Sequence, residues 1–286
     1  MRCLRAACAV LITLGGLVIA GLFLNLAGWF CKICNRKRYT WLAFIPHMWG
    51  RFSYAVAYRM LLKTRSQVFN GNIEPLKTND VLIVISNHPS TLEIVPWLNA
   101  MYTICPTRIL ALGKKELTSN PFVGSALAAI DGIIYIDRTS AQETEKKIQE
   151  QLAVSCSYEE PITIIIFPDS KRASPARMLE DVRKFKDKIP RLSAWLFHTT
   201  VPRAGALTAL LNAASKLEGK RIRVIDITSG FDVVNFDHFD VCAIIGATYY
   251  CLVSEIRTPP TNPAEIREWL NDRFKDKNLF LELWRK

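Results

Sequence analysis

Histidine is scarce in this chain: four in 286 residues, at positions 47, 88, 198 and 238. His47, His198 and His238 lack a ligand constellation, with Asp237 and Asp240 beside His238 read as solvated loop residues, so a metal centre is not expected. No serine sits in a G-x-S-x-G elbow, which argues against an acyl-enzyme formed on serine. Acidic residues are outnumbered 26 to 37, for a formal net charge of +11. A basic excess suits anionic lipid, anionic substrates or nucleic acid. Nucleic acid is disfavoured, because the basic residues are scattered and show neither zinc-finger spacing nor an aromatic-basic RNA signature. Internal repeats and low-complexity linkers are absent too. The eight cysteines, at 3, 8, 31, 34, 105, 156, 242 and 251, are too dispersed for a secreted disulfide framework and read as reduced thiols. Cys31 and Cys34 form one C-x-x-C with no second pair, so neither zinc nor redox chemistry is supported; S-acylation beside the apolar segment is the alternative.

What the chain does have is apolar surface. Half its residues are hydrophobic and its mean hydropathy is +0.12, high for a soluble enzyme. Residues 6–31 form a stretch of 26 without a charged side chain, and about 20 suffice to span a bilayer core. Arg2 and Arg5 precede this stretch; Lys32, Arg36, Lys37 and Arg38 follow it. The heavier positive side is expected in the cytosol. A cleaved signal peptide competes with this reading, although the stretch is longer than a usual signal core. A hairpin that dips into the bilayer and bends at Gly15-Gly16 is the third option. Residues 39–62 are apolar and aromatic, interrupted by Pro46, His47, Arg51 and Arg59. They read either as an interfacial helix, where Trp and Tyr favour the headgroup level, or as a buried core helix.

From Val68 onward, short β-branched runs alternate with amphipathic stretches. The runs are 81–85, 108–112, 133–136, 162–167 and 221–227, with helices expected over 91–103, 114–130, 141–155 and 176–188. Such alternation predicts an α/β fold with a mixed, largely parallel sheet flanked by helices. Residues 241–245 and 248–253 are candidates for further strands. Ile266, Trp269, Leu270 and Phe274 are spaced as a helix over 264–274, opened by Asn262-Pro263. Residues 1–62 therefore read as a membrane anchor with an interfacial segment, and 63–286 as one domain.

The chemistry concentrates after the first strand run, in Asn87-His88-Pro89-Ser90-Thr91-Leu92-Glu93. A histidine at a strand end with a carboxylate five positions on can supply a base and its orienting partner. Three further segments follow: Gly132-Ile133-Ile134-Tyr135-Ile136-Asp137-Arg138, Phe167-Pro168-Asp169-Ser170-Lys171-Arg172 and Thr200-Val201-Pro202-Arg203. Together they resemble the glycerolipid acyltransferase family, which includes 1-acyl-glycerol-3-phosphate acyltransferases. The first is similar to the family's N-H-x-S-x-x-D, the second fits G-x-x-x-I-D-R, and the third resembles F-P-E-G-T-R with three changes. The fourth stands where the family has a proline-centred motif. Lys114-Lys115-Glu116-Leu117 and Pro121-Phe122-Val123-Gly124 add to the likeness, which covers residues 80 to 205.

The resemblance implies that His88 is a general base, with Glu93 in place of the usual Asp. Neutral imidazole is available near pH 7, since its ordinary pKa is about 6.5. It would deprotonate the free hydroxyl of a lysophospholipid, whose oxygen attacks the thioester of acyl-CoA, a co-substrate; no cofactor is expected. Arg172 is the expected phosphate ligand, because guanidinium recognises phosphate at two points. Lys171, Lys115 and Arg138 are further candidates for that phosphate. Gly132, Pro168, Asp169 and Pro202 are expected to shape the motifs rather than react. The acceptor implied is lysophosphatidate, at a bilayer surface of the endoplasmic reticulum or another intracellular membrane. Lysocardiolipin or lysophosphatidylglycerol are alternative acceptors. The departures at Glu93, Ser170 and Lys171 leave open a catalytically impaired lipid-binding homologue.

Overall fold

β-Branched residues without charge, as in Val81–Ile85, suit a strand covered on both faces. In the computed structural model they lie in β2 (Asp80–Ser86), every residue of which is buried. The structure describes residues 1–33, 45–71, 73–88, 90–114, 133–136, 141–156, 160–169, 172–233 and 240–285. Among these, one sheet contains β1 (Arg65–Asn70), β2, β3 (Arg108–Lys114), β4 (Ile133–Ile136), β5 (Ile162–Ile166), β6 (Arg221–Phe231) and β7 (Thr248–Ile256). Its order is β1-β7-β6-β2-β5-β3-β4. Every neighbouring pair is parallel except β6 and β7. The mixed, largely parallel α/β sheet expected from the alternation is therefore the observed architecture.

Successive side chains of a strand face opposite ways. Val81, Ile83 and Ile85 join one core with α4 (Ala141–Ser155), α7 (Ala204–Ser215) and α8 (Pro263–Trp284), through Ile148, Leu207, Leu210 and Ile266. Leu82 and Val84 join a second core on the other face, with Ala57, Tyr58, Trp97 and Met101. Three layers result. Trp97 and Met101 belong to α3 (Ile94–Ile104). Two helices begin at side-chain caps followed by proline, the second as expected from Asn262-Pro263. Ser174 caps α5 (Pro175–Phe185), its hydroxyl accepting from Arg177 N–H at 3.4 Å, and Asn262 caps α8, accepting from Ala264 N–H at 2.9 Å. A four-residue turn, α6 (Pro190–Ser193), follows α5.

α1 (Arg2–Ile33) runs unbroken through Gly15 and Gly16, so no bend forms there. Residues Arg2–Ala27 have a mean hydropathy of 2.5 and little of that surface is covered. The helix is long and apolar enough to cross a membrane. α2 (Ile45–Ser53) passes into a π-helix (Tyr54–Leu61). This pair lies against α1, where Trp49 Nε1–H donates to Thr13 C=O at 3.2 Å. Its inner side bonds the rest of the fold: Tyr58 O–H donates to Leu92 C=O at 2.7 Å and His47 Nε2–H to Thr107 C=O at 2.9 Å. Its outer side exposes Met48, Phe52 and Met60 beside Arg51 and Arg59. Features of both sequence readings of this segment are thus present on opposite sides of one helix pair.

Three expectations are corrected. Residues 241–245 form turns, not a strand: Asp240 Oδ1 accepts from Ala243 N–H at 3.2 Å, and Gly246 at φ +82° redirects the chain. A five-residue apolar run does not by itself separate a strand from a buried turn. α8 continues ten residues beyond the expected end at Phe274, to Trp284, burying Lys277, Asn278 and Leu281. α7 was not foreseen, because its alanine-rich sequence lacks a polar face. The helix expected over 114–130 lies outside the described residues apart from Lys114, which ends β3. The described cysteines, Cys3, Cys8, Cys105, Cys156, Cys242 and Cys251, carry free thiols.

Candidate active site

β2 stops at Ser86 while its neighbour β6 runs on through Phe231, so β6 overhangs the end of β2. The overhang carries backbone groups that a strand would otherwise pair. Side chains do so instead. Asn87 Nδ2 donates to Ser229 C=O at 2.8 Å, and Ser229 N–H donates to Asn87 Oδ1 at 2.9 Å. Glu93 Oε1 then accepts from Phe231 N–H at 3.2 Å. Residues 87–93 are thereby clamped against β6, at the carboxyl ends of parallel strands where α/β sheets commonly bind ligands.

His88 projects from this clamp. Its backbone N–H donates to Asp169 Oδ2 at 2.9 Å, and its ring lies 4.9 Å from that of Phe167. Asp169 is buried, and its carbonyl accepts from the Thr200 hydroxyl at 3.1 Å. Pro168 C=O accepts from Arg203 N–H at 2.9 Å, beside buried Pro202. Three of the four motifs thus meet at one place. Lys115, Lys171 and, from the second motif, Gly132, Asp137 and Arg138 lie outside the described residues, while Ile133–Ile136 of that motif form β4.

Glu93 is buried and both its oxygens are engaged. Oε2 accepts from Ser90 N–H at 2.5 Å and Oε1 from Phe231 N–H. Both carboxylate oxygens are thus held by backbone N–H groups. Its longer side chain reaches across to β6 and braces the loop. The five-residue spacing therefore brings Glu93 to the site in a bracing position.

A small cleft, partly open to solvent, lies over His88. Asn87, Ser90 and Glu93 line one wall, Ser174 and Met178 another. Arg172 stands just ahead of Ser174, half-buried. Its Nε is buried and without a hydrogen-bond partner. Burial pushes the pKa of this guanidinium down from its ordinary value, and neighbouring Arg177 adds to the effect. A cation in this position gains by meeting an anion.

Sequence reasoning passed over two cleft residues. His198 lines the same space, and so does Arg285, which follows α8. His198 is placed by buried Asn278, whose Oδ1 accepts backbone N–H groups of Phe197, His198 and Thr199 at 3.1, 2.8 and 3.1 Å. No local motif marks either residue; each arrives from a distant part of the chain. The described residues contain no cluster of metal-binding side chains.

Comparison with known proteins adds one finding. Residues 67–204 match the family model described as Acyltransferase. No curated protein and no solved structure matches the chain. The matched stretch begins in β1 and ends at the start of α7, enclosing the clamp, His88, Asp169 and Pro202.

Proposed function

We propose that the chain moves a fatty acyl group from acyl-CoA to the free hydroxyl of 1-acyl-glycerol-3-phosphate, a reading supported by the match of residues 67–204 to the Acyltransferase family model. The product is phosphatidate, and the setting is phospholipid biosynthesis. The reading is carried by one observation: a half-buried histidine in a strand-end cleft, next to a strand whose following loop bears an unpaired guanidinium.

In this proposal the neutral His88 ring takes the proton of the acceptor hydroxyl. The hydroxyl oxygen attacks the thioester carbonyl, and the tetrahedral centre then collapses. The carbon–sulfur bond breaks, and the coenzyme A thiolate leaves with the proton returned by His88. Asp169 holds the backbone of His88, and Glu93 stiffens the loop while adding negative charge near the imidazolium. Arg172 holds the acceptor's phosphate, with Lys171, Lys115 and Arg138 as further candidates. α1 and the exposed apolar side of the α2–π pair hold the cleft at the bilayer, the catalytic domain facing the cytosol on the endoplasmic reticulum or another intracellular membrane.

The test is an assay of radiolabelled acyl-CoA on membranes containing the full chain, with several acceptors. Lysophosphatidate is expected to outperform lysophosphatidylglycerol and lysocardiolipin. Equal use of acceptors lacking a terminal phosphate contradicts the proposed acceptor. Binding of lysophosphatidate without thiol release contradicts catalysis and supports a lipid-binding homologue, a reading motivated by the motif departures at Glu93, Ser170 and Lys171.

A further inference from the structure

The cleft holds a second guanidinium that the motifs do not account for. Arg285 Nε donates to Phe231 C=O at 3.1 Å and Nη1 bonds His198 Nδ1 at 2.5 Å. A guanidinium can only donate, so Nδ1 is the accepting nitrogen and the other ring nitrogen carries the proton. That proton goes to Glu282, whose Oε2 lies 2.6 Å from Nε2. Glu282, His198 and Arg285 thus form a directed chain on the wall built by α8. Asn278 pins the 197–199 segment to the same helix, so the chain has a fixed support.

Two of the three guanidinium nitrogens are engaged in this way. The third, Nη2, has no hydrogen-bond partner among the described residues. Arg285 makes no ion pair with any of them within 4.0 Å either. Nη2 lies over Gly230: a Cβ placed there would be 3.5 Å from both Nη2 and Glu93 Oε1, and 2.7 Å from Leu281 Cδ2. Glycine at 230 keeps this corner of the cleft open. Burial lowers the pKa of Arg285, while Glu93 and Glu282 act in the opposite direction. Glu93 is the one carboxylate that faces it from β2's loop, and that carboxylate already accepts two backbone N–H groups.

We infer that Arg285, aimed by His198 and Glu282, is a second anion ligand of this cleft and takes a phosphoryl group of a substrate on the α8 wall, apart from Arg172. The identity of that phosphoryl group rests on the acyl-transfer reading, in which both the acceptor headgroup and coenzyme A carry phosphate. The anion site itself does not depend on that reading. Arg285 is a binding residue here; His198 and Glu282 are positioning residues.

The experiment uses the full chain in detergent micelles. Pyrophosphate and inorganic phosphate are the probes, with affinity read from the shift in thermal midpoint. R285M, which keeps the apolar stem, is expected to bind pyrophosphate about tenfold more weakly or worse, the loss of a charge-assisted hydrogen bond. R285K, which keeps the charge and loses the planar fork, is expected to fall between R285M and the wild type. Wild-type affinity in both variants overturns the inference, as does a lowered midpoint in buffer with unchanged anion affinity. In that last case Arg285 only balances the charge of Glu93. Should R285M fail to fold, R285K alone decides, and unchanged affinity in it counts against the site. Steady-state assays then separate the two sources. A raised KM for lysophosphatidate places the acceptor headgroup at Arg285, and a raised KM for acyl-CoA places the donor there; both KM values unchanged overturns the substrate assignment. Arg285-dependent pyrophosphate binding in a chain that transfers no acyl group keeps the anion site and removes the acyl-transfer reading.

Discussion

The two ends of β2 handle charge in opposite ways. At its start Asp80, 1% exposed, accepts from Arg221 Nε and Nη2 at 2.6 and 2.9 Å, from Arg223 Nη1 at 2.8 Å and from Lys77 N–H at 3.0 Å. Arg221 also pairs with Glu74, and Arg223 with Glu255. Each charge there has a counter-charge. At the other end, seven residues on, lies the cleft lined by His88 and Arg285, and just ahead of its Ser174 wall the buried Nε of Arg172 has no hydrogen-bond partner. Paired charge is what a scaffold tolerates in its interior. Unpaired cations are costly alone and gain most from an anionic ligand. One strand thus separates a part of the fold that serves stability from a part that serves binding.

Substitutions at the two ends test that separation. The largest effect is expected from His88→Ala, which removes the proposed base and should lower kcat/KM by about 10²–10⁴-fold. Its urea-unfolding midpoint should stay near the wild-type value, and retained turnover would exclude the base role. Asp80→Asn is expected to do the reverse, costing about 3 kcal/mol of stability, the low end for breaking a buried pair because Arg221 is part-exposed. Equilibrium denaturation measures it, and kcat of the folded fraction should be little changed. The pH dependence follows from the same carboxylate. Burial alone would raise the Asp80 pKa, but the hydrogen bonds from Arg221, Lys77 N–H and Arg223 outweigh it and hold the carboxyl well below the usual carboxylate range. The folded state therefore binds fewer protons than the unfolded one. The resulting stability is fully present above the ordinary value of about 3.9 and fades as pH falls below it toward the folded-state value. Asp80→Asn should flatten the acid limb of the stability curve below pH ~4; an unchanged limb contradicts the assignment.

Arg172→Ala belongs to the cleft end. It should raise the acceptor KM by about ten- to a hundredfold through loss of charge-assisted hydrogen bonds, with a smaller change in kcat. An unchanged KM removes it from the phosphate site. The smallest effect is expected from Glu93→Asp. The shorter side chain keeps its charge but loses reach to Phe231 N–H, at a cost of about 1 kcal/mol in thermal or urea unfolding. Wild-type stability in this variant would show that the brace to β6 contributes little.

How far each feature could be read in the sequence follows from how local its cause is. β2 and β5 were legible because continuous Val and Ile runs have few alternatives to a buried strand. The start of α8 was legible because Asn262-Pro263 caps a helix through neighbours in the chain, and the helix expected over 176–188 begins at Pro175 behind a Ser174 cap. His88 and Asp169 were legible through motif order, and the structure brings their segments together. The turn at 240–246 was not, since a short apolar run has no period to distinguish it. Glu93 was read as a partner of His88 from a spacing of five residues; that its oxygens accept from Ser90 and Phe231 N–H was not legible, because Phe231 is far away in the chain. His198 was set aside for want of a nearby partner, because that partner is Glu282 on α8.

By itself, the sequence determined the α/β class, a span-length apolar helix at the N-terminal end and the family of the segment around His88. Those depend on composition, periodicity and residue order, which act over a few positions. Only the tertiary structure decided which carboxylate braces which loop and which cations stand without partners. It also decided that α8 delivers a histidine's acceptor and an arginine to the cleft. Hydrogen bonds and ion pairs depend on distances of a few ångströms between residues far apart in the chain, and those distances exist only once the sheet has closed its register.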